Sequence, residues 1–298
     1  MSRPIVVDPS MEGDESMNLR TTIRRFFVGI LPLIAIAATP QTNTGTGSPS
    51  METVEHLKDF QVIEFRRYTI KPGERDHFAQ YFESFFPEAF EQMGAIALGQ
   101  FYERSNPAGF TWMRGFHTIY DRPIVTAAFY YGPLWREHKT IMNSLMTDSD
   151  NVLLLRPLHP DRGVPVLPSV DPVTEANGAQ GIIVAQIFPI KANSVDAFAQ
   201  KAEATFASYR VAGAREAGIL VTLDVPNNFP QLPIRTDGPY LVWLGILKDN
   251  RTLEDQFNSV VASSSQSLSA SGLLRGNPEL VILDPTHRSR LRWLPSAY

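Results

Sequence analysis

The sequence predicts an α+β fold made of two similar units that follow one another along the chain. A strand, a tight turn and a helix are indicated between Phe60 and Met93, each by its own periodicity. The same order of elements recurs about 120 residues later, where IKANSVDAFAQ at Ile190 matches IKPGERDHFAQ at Ile70 in six of eleven positions. Hydrophobic residues make up 43% of the chain and charged residues 19%, which is enough apolar material to give each unit a core.

The first unit begins with a strand at 62–70. β-Branched and aromatic residues are frequent there, and Lys71-Pro72-Gly73 ends the strand, because proline lacks an amide donor and glycine tolerates positive φ. Alternation assigns the side chains to two faces, with Glu64, Arg66 and Tyr68 on one and Ile63, Phe65 and Arg67 on the other.

A helix follows the turn. From Glu74 onward the apolar residues recur at helical spacing and form an aromatic stripe that predicts a helix covering a sheet. The stripe consists of Phe78, Phe82, Phe85, Phe86, Ala89 and Met93. Pro87 is expected to kink this helix or to begin a new turn. A stripe of this composition is typical of a core rather than of a ligand site.

The rest of the first unit completes the order βαββαβ. Strands are predicted at 96–103, 110–117 and 152–156, the first two joined by a loop rich in turn residues. A helix is expected to begin at Asp121 and to break at Gly132-Pro133. Its apolar side is predicted to consist of Ile124, Ala127, Ala128 and Tyr131. The helix after the break is predicted to present Leu134, His138, Ile141, Met142 and Leu145 on one face.

Residues 59–158 resemble the NIPSNAP family. The resemblance is carried by EFRRYTIKPGERDHF at the opening strand, turn and helix, and downstream by GQFYE, FTWMRGF and YYGPLWREHKTIMNSLMTDSDNVLLLRP. It implies a fold of the dimeric α/β-barrel type, in which ferredoxin-like βαββαβ units pair sheet against sheet and the first and third strands of a unit are neighbours. The family's biochemical activity is largely undefined, so the resemblance implies no particular reaction.

The sequence divides into five segments: an N-terminal extension with a signal peptide (1–38), a flexible linker (39–55), a NIPSNAP-like domain (56–158), a proline-rich linker (159–179) and a second, diverged copy (180–298). In the second copy Trp243 corresponds to Trp112, and LVILDP corresponds to VLLLRP. Asn193 with Asp196 resembles a capping box at the start of its first helix. We expect the two copies to pair within one chain, because each has a sheet face that needs cover.

The N-terminal segment predicts export. Arginines precede an apolar run at 26–38, and small residues near Ala37 offer a cleavage site. The expected location is periplasmic or secreted, with a signal peptide that starts at about Met17 and no stable membrane span after cleavage. A mitochondrial presequence, an uncleaved anchor and a cytoplasmic location remain as alternatives.

Several functional classes are disfavoured. The net charge is −4 and no basic cluster is interleaved with aromatics, which argues against nucleic acid as a partner. The chain has no cysteine, and none of its six histidines forms an HxxxH pair, so no metal site is predicted. GxSxG, GxGxxG and GxxxxGK[ST] motifs are absent from the sequence, and no cofactor is predicted.

A candidate ligand site lies in the first copy. Its residues are Arg66, Tyr68, Trp112, Arg114, Trp135 and His138. Two guanidiniums on neighbouring strands are costly to bury without acceptors, and Glu64 can fully satisfy only one of them. Tyrosine and tryptophan add flat apolar walls with one polar group each, which together predicts a pocket for a small organic molecule with an anionic group. In the structural alternative, the arginines stack on aromatics and hold the two halves together.

Three functional hypotheses stay open. The first is an exported NIPSNAP-type protein with a binding or interaction role, whose partner is a small organic ligand or a second copy in a homo-oligomer. The second is a cofactor-independent enzyme, similar to monooxygenases or isomerases of the wider superfamily, acting on a small anionic or aromatic substrate. The third is haem binding through His138 or His117. The basic, aromatic C-terminus from His287 predicts a docking tail.

Overall fold

The computed structural model describes residues 59–295, so the predicted signal peptide and the linker at 39–55 lie outside the described residues. The first half contains β1 (Val62–Ile70), α1 (Arg75–Phe85), α2 (Pro87–Gln92), β2 (Ala95–Glu103), β3 (Gly109–Phe116), α3 (Asp121–Tyr130), α4 (Pro133–Leu145) and β4 (Met146–Pro157). The second half contains β5 (Ile182–Pro189), α5 (Val195–Val211), β6 (Arg215–Thr222), β7 (Tyr240–Leu247), a π-helical segment (Thr252–Phe257), α6 (Asn258–Ser269) and β8 (Glu279–Pro285). Both halves therefore run strand, helix, strand, strand, helix, strand.

The eight described strands form one closed antiparallel barrel in the order β1-β3-β2-β8-β5-β7-β6-β4. In the first half β1 lies between β3 and β4, so the first and third strands are neighbours. In the second half β5 lies between β7 and β8. The halves meet at two short seams, where β2 pairs with β8 and β4 with β6 over three residue pairs each. The barrel therefore closes within a single chain, and pairing leaves no open sheet edge among the described strands.

Apolar side chains fill the barrel. Ile63 and Phe65 of β1 lie inside it, in one fully buried cluster with Leu155, Leu220 and Leu283 from other strands. Because neighbouring residues of a strand point to opposite faces, the residues between them lie on the outside of the sheet. The barrel interior is thus a packed core, and the polar face of β1 is turned towards the helices.

Helices cover the outer face of both sheets, and the aromatic stripe of the first half belongs to this outer core. Phe78, Phe82 and Phe86 are buried there, whereas Phe85 is partly exposed. The helix ends at Phe85 and a new one begins at Pro87, so the predicted break at this proline is confirmed.

The predicted apolar side of α3 is wrong. Ile124 is 69% exposed and Tyr131 46% exposed, and the buried face instead carries Arg122, Thr126 and Phe129 with their neighbours. Sequence periodicity failed because this buried face includes an arginine and a threonine, which a hydrophobic pattern scores as solvent-facing. The helix is rotated to bring these polar groups to the sheet.

The predicted capping box at Asn193 is also wrong. The residue before α5 is Ser194, and no side chain caps the helix. Asn193 has a φ of 59°, as Gly73 has a φ of 82° at the matching turn of the first half. Asparagine is among the few residues that adopt this left-handed conformation readily, so the turn geometry explains Asn193.

The segment at 159–179 and the C-terminal tail wrap around the barrel. The segment contains no helix or strand, yet Val164 and Leu167 are buried. In the tail, Leu291 is fully buried against the barrel, and Arg290 Nη2 lies 2.5 Å from Glu91 Oε1 of α2. The tail of the second half therefore docks on the first half.

Residues 59–158 expressed alone are expected to dimerise or aggregate. Without the second half, β2 and β4 each lose one of their two partner strands, and the inward apolar face around Phe65 and Leu155 becomes exposed. Light scattering after size exclusion measures the mass of the fragment, with residues 59–295 run in parallel. A monodisperse monomer that melts at the temperature of this control would contradict the dependence of each half on the other.

Candidate functional site

The candidate site lies on the outer face of the first half's sheet, beneath α1 to α4. Directly opposite residues of an antiparallel pair share a face. Glu64 of β1 lies opposite Arg114 of β3, and Arg66 lies opposite Trp112. The register therefore gathers the polar residues of β1 and the polar and aromatic residues of β3 into one patch.

Glu64 is the shared acceptor of three guanidiniums. Its Oε2 accepts from Arg66 Nη1 at 2.9 Å and from Arg114 Nη2 at 2.6 Å, and its Oε1 accepts from Arg122 Nε at 2.7 Å. All four side chains are fully buried. Burial alone would raise the pKa of Glu64, but the charges of Arg114, Arg66 and Arg122 outweigh it and hold the pKa well below its ordinary range. Glu64 is therefore ionised throughout the physiological range.

The cluster is not neutral. Three buried guanidiniums face one carboxylate, a net charge of +2. The effect is visible at Arg122, whose pKa is lowered by burial and by the like charges of Arg114 and Arg66, even though Glu64 acts in the opposite direction. An additional anion beside the cluster would relieve this imbalance.

Several donors of the cluster and its surroundings are buried without a hydrogen-bond partner in the described part of the chain. They are Arg66 Nη2, Arg114 Nη1, Arg122 Nη2, Trp112 Nε1, Trp135 Nε1 and Thr126 Oγ1. Leaving a buried donor unpaired costs about 1–3 kcal/mol each. All six groups can donate a hydrogen bond, so the chemistry that would satisfy them is that of an acceptor-rich molecule.

An aromatic cavity adjoins the cluster. Its volume is about 20 Å³, and nine aromatic side chains and two methionines line it. The hydroxyl of Tyr68, which lines the cavity, accepts a hydrogen bond from Arg66 Nε at 2.8 Å and so connects cavity and cluster. Arg114 lies over the Phe90 ring at 5.1 Å. A cavity of this size holds about one water molecule, so a larger ligand must displace side chains.

The structure brings five of the six predicted residues together. Arg66 and Arg114 belong to the charged cluster, and Tyr68, Trp112 and Trp135 line the cavity. The sixth residue, His138, does not line it.

His138 lies on the side of α4 that faces α1. Its Nδ1 is 2.6 Å from the hydroxyl of Tyr81, and its ring stacks on Phe85 at 4.1 Å. Phe86 lies between it and the cavity, in ring contact with both His138 and Trp135. His138 is therefore a packing residue at the edge of the site.

Sequence reasoning missed Arg122 and Tyr130, both on α3. The buried face of α3 repeats at helical spacing through Arg122, Thr126 and Phe129. An arginine in line with such a face was therefore a usable signal of a buried charge. Two further contributors, Asn227 and Asn228, come from the second half, and no local pattern points to them.

The connection between β6 and β7, residues 223–239, is here called the strap. Asn227 and Asn228 of the strap accept from Arg122 Nη1 with their side-chain oxygens, at 3.0 Å and 2.7 Å. Phe229 packs near the ring of Tyr130, and Leu232 is fully buried in the outer core of the first half. The second half thus completes the wall of a site that the first half builds.

The second half provides an internal comparison, because β5 and β7 pair in the same register as β1 and β3. There Val184 lies opposite Gly245, and Gln186 lies opposite Trp243. The indole of Trp243 occupies the space beside Gly245, where an added Cβ would lie 2.2 Å from the ring, and Gln186 accepts a hydrogen bond from Tyr209. The same architecture therefore folds with a neutral, well-packed core in place of the charged cluster.

Residues 59–295 contain neither a cluster of metal ligands nor a helix suited to span a membrane. No group of three or more metal-ligating side chains comes together there. None of the helices in this range combines the length and apolar character needed to cross a lipid bilayer.

No family model and no curated protein matches the chain. Among solved structures, an anthrone oxidase-like protein is similar with a TM-score of 0.50 and 12% identity, over 84% of this chain and 99% of the other. A "putative monooxygenase" from Lactobacillus acidophilus gives 0.47 and 9%, over 77% and 98%. A heme-binding protein from Thermus thermophilus gives 0.41 and 10%, over 77% and 92%. The first likeness agrees with the topology: the chain has the fold of a dimeric α/β barrel, closed within one polypeptide.

Proposed function

We propose that the first half binds a small organic molecule with an aromatic body and an anionic group, in the space between its sheet and helices. The observation that carries the proposal is the buried cluster of net charge +2, with unpaired donors beside an aromatic cavity. A structural role needs no such excess charge, since burying unpaired charge opposes folding. The neutral core of the second half supports this argument, because the same strand register there contains no arginine.

For the chain as a whole we propose a NIPSNAP-type binding protein made of two tandem ferredoxin-like units and exported from the cell. The sequence of residues 59–158 resembles the NIPSNAP family and supports that assignment. The order of strands and helices and the strand register match between the two halves, which supports the tandem arrangement. Export rests on the basic and apolar pattern of 17–38 alone.

Haem does not fit the site. Neither His138 nor His117 lines the cavity: the first pairs with Tyr81, and the second pairs with the main-chain oxygen of Asp59 and stacks on Phe60. We therefore derive no role for haem in this pocket.

Aromatic carboxylates are expected to raise the melting temperature of the protein, and matched neutral amides are not. A ligand that binds only the folded state stabilises it in proportion to the logarithm of its concentration over Kd. The probes are benzoate, salicylate and 1-naphthoate, each against its amide, measured by thermal shift. Arg114→Ala should abolish the difference, because it removes one of the charges and an unpaired donor.

Gln186→Ala in the second half is the control for that variant, because Gln186 lies on β5 in the register that Arg66 has on β1. It should keep the response to the carboxylates. If no anionic aromatic stabilises the parent, and Arg114→Ala and His138→Ala only lower its melting temperature, the patch is structural.

An enzyme that works without a cofactor, of the monooxygenase or isomerase kind, is the second candidate function. One observation favours it: Tyr68 lines the cavity and its hydroxyl already accepts from Arg66 Nε, so the hydroxyl proton is left for another acceptor. A tyrosine held in this way can give a proton to a bound oxygen atom.

Tyr68→Phe separates binding from chemistry. Any aromatic anion that stabilises the parent is incubated with it in air, and the products and oxygen consumption are followed by mass spectrometry and an oxygen electrode. An enzyme should lose conversion by about 10²-fold or more in Tyr68→Phe while binding persists. Unchanged compound in the presence of the parent would leave binding as the only function.

A further inference from the structure

The site has no room for a ligand of the proposed kind. The cluster residues are fully buried, and the cavity holds about one water molecule. A ligand of the proposed kind can therefore enter only if one wall moves. The sheet and the helices are regular elements, and α1 and α2 are also clamped by the C-terminal tail, in which Arg288 N donates to Glu83 Oε1 at 2.6 Å. The strap differs from these walls, because it consists of turns and bends without helix or strand.

The strap is fixed to β4 by main-chain hydrogen bonds near its ends and is held by side chains in the middle. Near the ends, Leu223 N donates to Leu154 O at 2.9 Å and Arg235 N donates to Val152 O at 2.8 Å, both on β4. Between these points the first half holds it through the apolar side chains of Val225, Phe229, Leu232 and Ile234, the two asparagine contacts with Arg122, and a bond from Asn228 Nδ2 to a carbonyl at 2.8 Å. Such a segment can open locally at a lower cost than a strand or helix of the site, because no sheet or helix hydrogen bonds have to break.

An open groove lies on the other side of the strap. It has a volume of about 740 Å³, within the roughly 300–1,000 Å³ range of small-molecule sites. Asn227 lines this groove and at the same time binds Arg122. Leu154 also lines it and lies opposite Glu64 in the sheet. The strap is thus the partition between a groove large enough for a ligand and the charged cluster.

We propose that the strap is the gate of the site. When the strap opens, Asn227 and Asn228 no longer bind Arg122, and Arg122 binds the anionic group of the ligand instead. This inference rests on the proposed function. It adds a ligand-binding residue from α3 and gives the second half a part in binding.

The exchange at Arg122 is favourable for an anion. The two asparagine oxygens are neutral acceptors, so a carboxylate that takes their place adds a Coulomb attraction to the guanidinium. Arg122 also keeps Nη2 unpaired, so a carboxylate could receive both Nη groups. Glu64 still holds Nε at 2.7 Å and keeps the guanidinium in position during the exchange.

The test changes the gate in opposite directions at Asn228, whose Oδ1 lies 2.7 Å from Arg122 Nη1. Both variants lose the bond from Asn228 Nδ2 to Ile119 O, so they differ from each other only in the contact with Arg122. Asn228→Ala removes this contact and should open the strap, whereas Asn228→Asp turns it into an ion pair and should hold the strap closed. Asn250 offers the matched control, because it makes a similar contact with Arg104 at 2.8 Å on the exposed surface. Asn250→Ala and Asn250→Asp should both behave like the parent.

The first readout needs no ligand. In a background of Trp243→Phe and Trp293→Phe, only Trp112 and Trp135 of the four tryptophans emit fluorescence. Quenching by acrylamide should increase in the order Asn228→Asp, parent, Asn228→Ala. Equal quenching in all three would overturn the gate.

The second readout uses 1-naphthoate, with its amide as the neutral probe. Association should be fastest in Asn228→Ala and slowest in Asn228→Asp. Arg122→Gln should weaken carboxylate binding about tenfold or more, because a hydrogen bond to a charged group is lost, and the amide should stay without effect on the variant as on the parent. This variant is expected to fold, since Glu64 keeps Arg66 and Arg114.

The outcomes separate the two proposals. Binding to the parent that none of the Asn228 or Arg122 variants changes would overturn the gate and the role of Arg122, and leave the proposed function intact. If 1-naphthoate binds neither the parent nor Asn228→Ala while quenching follows the expected order, the strap opens as inferred, but the proposed function and the role of Arg122 both fail.

Discussion

The site of this protein depends on one carboxylate, that of Glu64, which is shared by three buried guanidiniums. Each arginine is tolerable in the core only because this acceptor is ionised and close. One negative charge cannot neutralise three positive charges, however, and each guanidinium keeps a donor that no other group of the described chain receives. In the proposed function this surplus sets the selectivity of the site, because a bound anion would relieve it and a cation would add to it. The aromatic side chains around it supply the apolar contact that would select an organic anion over a bare ion.

The two halves show which features belong to the fold and which belong to the site. Both cover the outer face of a sheet with helices and aromatic rings, and both place a tryptophan at the same point of the central strand pair. In the second half the neighbours of that tryptophan are a glycine and a glutamine, and the ring packs into the space the glycine leaves. In the first half an arginine stands in each of the corresponding positions. The barrel therefore does not require the charges, which favours a role for them beyond the fold.

The single polypeptide has consequences for the site. In an assembly of two identical units, both would carry the same strap and the same cluster. Here the halves differ: one holds the guanidiniums, and the other provides the strap that covers them and the tail that clamps α1 and α2. Joining the halves in one chain permits this asymmetry, because each can change without changing its counterpart. The short seams at β2–β8 and β4–β6 are supported by the packed barrel interior, which is common to both halves.

The sequence by itself determined most of the secondary structure and much of one face of the site. Alternation along β1 separated Glu64, Arg66 and Tyr68 from the barrel core, and helical spacing found the aromatic stripe, because these periods follow from local backbone geometry. The pairing of β1 with β3 could be inferred only through the family resemblance. The observed register places Trp112 and Arg114 in the patch, as expected. Only the tertiary structure decided the rest. Arg122 was hidden because its environment, and not its residue type, makes it part of a buried face. The asparagines of the strap lie more than a hundred positions from Arg122, and a contact between such distant segments depends on how the barrel closes, which no local pattern of residues encodes.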